Sequence, residues 1–101
     1  MKRYEIWWAK VAFEDMDESK IRPVMIWNNT AYILAYKMTS VDRGDSKDEF
    51  RIEFYREAGL PKETFIRISK LLKLEETDLI SKIGELDDRD RLRFNFRISA
   101  L

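Results

Sequence analysis

The 101 residues predict a small, mainly β domain, built from short antiparallel strands in a strongly bent sheet or barrel. Short runs rich in β-branched and aromatic residues recur along the chain, separated by clusters of Gly, Pro, Asn and Asp. Several of these runs alternate in the two-residue period of a strand. An apolar content of 45%, with 13% aromatic, is enough for one folded core, so residues 1–101 are expected to form a single domain.

The first strand is expected in "YEIWWAKVAF", where Ile6, Trp8 and Lys10 share one face and Trp7, Ala9 and Val11 the other. "EDMDESK" is polar and acidic without periodicity, which predicts a loop. "PVMIWNN" predicts a second strand, since Pro23 has no N–H to offer and suits a strand's first position. "TAYILAYKMTS" follows at once, so Asn28-Asn29-Thr30 is expected to form the tight turn of a hairpin. "VDRGDSKDE" predicts a loop around Gly44. "FRIEFYR" alternates, with Phe50, Ile52 and Phe54 on one side, and predicts a half-exposed strand. The chain should turn again through Gly59 and Pro61. "FIRISKLLKL" starts as a strand and ends ambiguously, and "EETDLISKIGEL" fits a short strand or a turn of helix. In "DDRDRLRFNFRISAL" strand alternation competes with helical spacing. Asp87 fits an N-cap, Asp90 the third residue of a capping box, and Leu86 a contact on the first turn.

The composition excludes whole classes of function. No cysteine means no disulfide framework and no thiolate zinc site, and no histidine removes the commonest general base and metal ligand. Lys plus Arg equal Asp plus Glu at 19 each, which argues against a protein that coats nucleic acid, while leaving room for a local basic site. No apolar run approaches a membrane span, and the N-terminus lacks the apolar core of a secretory signal, so a cytoplasmic location with no membrane partner is expected.

Without His or Cys, catalysis would rest on carboxylates, Arg, Lys, Tyr and hydroxyls. Arg22, beside Pro23 at the mouth of the apolar run Val24–Trp27, is the leading candidate. A guanidinium is permanently charged and matches a phosphate or carboxylate with two parallel hydrogen bonds. The competing reading is an ion pair with Glu5 or Asp15 at the sheet edge. Thr39 and Ser40 end the next strand with two hydroxyls that can donate to an anion, or simply cap the following loop. If the two strands pair as a hairpin, antiparallel geometry sets Arg22 beside Thr39-Ser40 at one end of the sheet. Arg67 interrupts the apolar "TFIRISK" and faces either that end or solvent. The three tryptophans suit base stacking or, more simply, core and interface packing.

This ordered set, from "YEIWWAKV" through "IRPVMIWNN", "AYILAYKMTS" and "GLPKETFIRISKLLKL" to "KIGELDDRDRLRFNFRISAL", resembles the MazF/PemK family of toxin endoribonucleases over nearly the whole chain. The resemblance implies an SH3-like barrel with a C-terminal helix from about Asp87, a homodimer and a cognate antitoxin. It further implies cleavage of single-stranded RNA without metal or cofactor, by attack of a ribose 2′-OH to give a cyclic phosphate and a free 5′-OH. Arg22 matches the family's catalytic arginine and Thr39 its conserved hydroxyl, with Ser40 as neighbour. Glu5 stands where the family has an acidic residue that would orient the arginine, and Arg67 falls in a strand that contributes a further polar group. Asn28 closes the strand of the Arg-Pro motif. The sequence departs from the family where Tyr4 replaces a glycine, where the first loop is short and lacks a Gly-rich stretch, and where Lys37 adds a cation beside Met38. The proton of the 2′-OH would pass to Glu5, Asp42 or the phosphate. The alternative is a non-catalytic SH3-like module, a degenerate toxin acting by protein binding, or a plain oligomerisation domain.

Overall fold

The computed structural model describes residues 1–12, 19–42, 44 and 47–101. The acidic loop after the first strand, and with it Asp15, lies outside them, as does part of the loop around Gly44. In chain order the elements are β1 (Glu5–Ala12), β2 (Ser19–Asn29), β3 (Ile33–Thr39), β4 (Glu49–Arg51), β5 (Phe65–Leu74), β6 (Leu79–Glu85) and α1 (Asp88–Ser99), with a 3₁₀ turn at Glu76–Asp78. The strands form one six-stranded sheet in the order β4-β5-β3-β2-β1-β6. Every paired neighbour is antiparallel. The architecture agrees with the expected SH3-like barrel, except that β4 and β6 do not pair and the sheet stays open.

The turn after β4 makes a close backbone contact with the edge strand β6. A Cβ on Gly84 of β6 would collide with the Ala58 carbonyl, and one on Gly59 would meet the Ile83 carbonyl oxygen at 2.6 Å. Ala58 and Gly59, in the turn that follows β4, therefore pack directly on the Ile83–Gly84 backbone of β6.

Two apolar clusters explain why Val24-Met25-Ile26 is an unbroken run. Successive strand residues point to opposite faces, and here both faces are covered. Met25 joins Ile6, Tyr36, Met38, Ile66 and Phe94 in the main core, while Val24 and Ile26 join Ala9, Ile33, Ala35 and Leu74 in a second cluster. α1 is tied to the main core by Phe94, which is fully buried and meets Trp27, Tyr36 and Phe50 edge-on at centroid distances of 5.3–5.7 Å.

Several expectations are corrected. The hairpin turn falls at residues 30–32, because a bulge between Ile26 and Asn28 shifts the register and lets Asn28 and Asn29 pair with Leu34 and Ile33 as strand residues. "FRIEFYR" is a strand only to Arg51. Beyond it the chain makes a helical turn. Gly59 N–H donates to Arg56 O at 3.0 Å and Leu60 N–H to Tyr55 O at 2.9 Å, a Schellman closure with Gly59 at φ +87°. "FIRISKLLKL" is strand throughout. The C-terminal segment is helix, and Asp87 is its N-cap, accepting from Arg89 N–H at 3.0 Å. Asp90 does not form the expected capping box. Its buried carboxylate accepts instead from Glu53 and Phe54 N–H, capping the turn after β4.

Candidate active site

A cleft of about 240 Å³ opens between Ile21–Pro23, within the first half of β2, and the end of β3. Arg22, Thr39 and Ser40 line it together. Val24 pairs with Lys37, and continuing that register two residues sets Arg22 across from Thr39. Antiparallel pairing thus accounts for the meeting of a β2 cation with β3 hydroxyls.

Arg22 is half-buried. Its Nη1 donates to the Ile21 carbonyl at a long 3.4 Å, and no carboxylate among the described residues lies within ion-pairing distance. The Thr39 hydroxyl oxygen accepts Val41 N–H at 3.2 Å, which fixes the turn and leaves the hydroxyl proton free to donate elsewhere. Ser40 is exposed at the rim.

A further part of the lining comes from a segment that reasoning from the sequence did not single out. Leu60, Pro61, Lys62 and Thr64, between the helical turn and β5, line the same cleft, and Trp8 of β1 and Pro23 complete it. Thr64 is buried, and its Oγ1 donates to the Lys62 carbonyl at 2.8 Å. Pro61 fixes the backbone just before Lys62. The only earlier signal was the Gly-x-Pro turn itself, since a strand order that runs β5-β3-β2 is what brings this loop to Arg22.

The remaining candidates lie elsewhere. Glu5 does not orient Arg22. The residue opposite Arg22 is Ala9, four positions along β1 and about 13 Å from Glu5 at the rise of a strand. Glu5 is buried, accepts from Trp7 Nε1 at 2.9 Å and pairs with Lys82 at 3.7 Å. Burial pushes its carboxyl pKa up, but the Trp7 hydrogen bond and the Lys82 charge outweigh it and hold the group below its ordinary value.

Arg67 is bound to Asp48 through Nε–Oδ2 at 2.6 Å, with both side chains 12% exposed, and Asp48 also accepts Ser69 N–H at 2.6 Å. That cation is committed to a structural pair between β5 and the residue before β4. Asn28 lies six residues along β2 from Arg22, about 20 Å away. Lys37 stands on β3 two residues before Thr39 and does not line the cleft. Asp42 accepts Gly44 N–H at 2.8 Å just beyond the cleft residue Val41. Among the described residues, no group of three or more Asp or Glu side chains is placed to hold a metal ion.

The fold and the cleft define a small bent-sheet protein in which a guanidinium and two hydroxyls share one cleft. A family model of PemK-like, MazF-like toxins of type II toxin–antitoxin systems matches residues 2–100. The chain belongs to this family, and membership implies an antitoxin partner. No curated protein matches the chain. Among the described residues no helix is long and apolar enough to cross a membrane.

Proposed function

We propose that the protein is an endoribonuclease toxin that cleaves single-stranded RNA by attack of a ribose 2′-OH on the adjacent phosphorus. The O2′–P bond forms and the P–O5′ bond breaks, leaving a 2′,3′-cyclic phosphate and a 5′-OH. The reading is carried by one observation: Arg22, with no described carboxylate partner, shares a cleft with Thr39 and Ser40. As negative charge builds on the phosphoryl oxygens, the Arg22 guanidinium offers parallel donors, and it gives a proton to the leaving O5′ and regains one from solvent water. Thr39 donates to a non-bridging oxygen, with its own oxygen anchored by Val41 N–H. With Glu5 turned to Trp7 and Lys82, the 2′-OH proton passes to Asp42 or to the phosphate itself.

Neither step routes through a metal or cofactor. The reading extends to a homodimer in the cytoplasm, released from its antitoxin. Leu92 and Phe96, on the outer face of α1 at 74% and 80% exposed, give such an association apolar surface to remove from water.

The test is expression without the antitoxin, alongside Arg22→Ala, with the 5′-OH ends of cellular RNA sequenced. Discrete new 5′-OH ends that vanish in the variant support the reading, and a purified Arg22→Ala should cleave roughly 10² more slowly or worse. Growth arrest with intact RNA would instead indicate a module that acts by protein binding.

A further inference from the structure

Arg22 of β2 and Lys62 of the loop before β5 both line one small cleft. No acidic residue is among the described residues that line it. Like Arg22, Lys62 has no ion-pair partner among the described carboxylates, although the cations around it do. Arg51 pairs with Glu63 at 3.3 Å and Arg67 with Asp48 at 2.6 Å. Two cations that line one cleft, with no acidic residue in the described lining, favour an anion there over a neutral occupant. The Lys62 backbone is fixed by Pro61 before it and by the buried Thr64 hydroxyl on its carbonyl. The side chain of Lys62 is exposed and extends from that fixed backbone at the lining of the cleft.

We propose that Lys62 is a second phosphate-binding residue, which holds RNA in the cleft through its backbone charge and independently of base sequence. This rests on the endoribonuclease reading for the identity of the anion. A lysine acts here as a point charge on the polyanion, whereas Arg22 supplies the forked donors at the reacting phosphorus. Lys62 should therefore govern binding, and Arg22 the chemical step.

The experiment measures binding of mixed-sequence 2′-fluoro RNA oligonucleotides, which lack the attacking hydroxyl, by the wild type, Lys62→Ala and Lys62→Arg across a salt series. Losing one phosphate contact on a single strand should flatten the slope of log affinity against log salt by about 0.7. Binding should weaken uniformly across sequences. Lys62→Arg should restore the slope, and in Lys62→Ala the KM for RNA should rise by a larger factor than kcat falls. An unchanged salt slope in Lys62→Ala, with the wild type binding normally, overturns the assignment of Lys62 and leaves the endoribonuclease reading standing. Failure of the wild type itself to bind RNA overturns both.

Discussion

Asp90, fully buried on α1, accepts Phe54 N–H at 2.9 Å and so caps a turn 36 residues earlier in the chain. Its other oxygen accepts from Glu53 N–H at 3.2 Å and from Arg93 Nη1 at 2.7 Å. The bond network joins helix, turn and cation around one carboxylate. Asp90→Ala would leave two N–H groups and a guanidinium without that partner, and should destabilise the fold by about 3 kcal/mol. Asp90→Asn, which keeps one acceptor oxygen, should lose less. Urea denaturation of the two variants checks both the size and the order.

The same residue shows why the sequence was legible in some places and opaque in others. Val24–Ile26 and the alternation in β3 announce strands because their burial is set by near neighbours. Asp87 announces the helix because its cap lies within the first turn. The segment after Arg51 reads as strand because Phe50, Ile52 and Phe54 alternate. The groups that bend it are Asp90 in α1 and the Gly84 backbone of β6, and neither is visible in a local window. Asn28 and Asn29 have turn chemistry, yet a bulge between Ile26 and Asn28 extends the ladder through them. The cleft divides in the same way. Arg22 and Thr39 are neighbours through a single hairpin, and Trp8 stands across from Pro23 through the β1–β2 pair, whereas Lys62 reaches the cleft only because β5 pairs with β3.

The seam between β6 and the turn after β4 should tolerate no side chain. Gly84→Ala drives a methyl group into the Ala58 carbonyl, a backbone atom that cannot yield without moving the turn. Separation of the seam should cost about 2–3 kcal/mol, in the range of overpacked cores. Gly59→Ala adds the penalty of a non-glycine residue at φ +87° to a contact with Ile83 O. Thermal unfolding should place both variants well below the wild type, while a glycine-to-alanine change at the open Gly44 position should show only the backbone penalty of its φ of +70°.

Tyr4 holds φ +74°, an unusual conformation for an aromatic residue. It is kept there by its N–H on Ile26 O at 2.8 Å, by Leu86 N–H on its carbonyl at 2.9 Å, and by a hydroxyl that accepts from Asn95 Nδ2 at 2.6 Å. Replacing the ring by alanine keeps the strained backbone and loses the contacts, whereas glycine loses the contacts and relieves the strain. Tyr4→Gly should therefore be more stable than Tyr4→Ala by about 1 kcal/mol, the reverse of the usual ranking. A comparison of their denaturation midpoints decides it.

Acid should act on the Asp48–Arg67 pair. Burial pushes the Asp48 carboxyl up, but hydrogen bonds from Ser69 and Arg67 and the Arg67 charge outweigh burial and hold it below its ordinary 3.8. Because the folded pKa is the lower one, the stabilisation is fully present above the unfolded value and disappears as pH falls through the folded value. Glu5 behaves alike below its ordinary 4.5, through Trp7 and Lys82. Stability should thus decline as pH drops below about 4.5, and Asp48→Asn should be less stable at neutral pH and lose less on acidification. Were Asp48→Asn to show the same acid slope as the wild type, the pair at β4 and β5 would not be the group that titrates.

Thr39 tests the division between building the cleft and using it. Its oxygen accepts Val41 N–H and its proton is free, so the residue has a structural task and, in the proposed reaction, a chemical one. Thr39→Ser keeps both groups and should cleave RNA within a few-fold of the wild type. Thr39→Val removes both, leaves Val41 N–H to water at the exposed loop, and should lower the rate at saturating RNA by about ten-fold to a hundred-fold with a stability loss near 1 kcal/mol. The two losses separate by measurement, since Val41 contributes to folding without substrate and the donated proton matters only with phosphate present. Should Thr39→Val lose stability yet cleave RNA at the wild-type rate, the hydroxyl would be confined to the turn, and Arg22 would carry the transition-state charge without it.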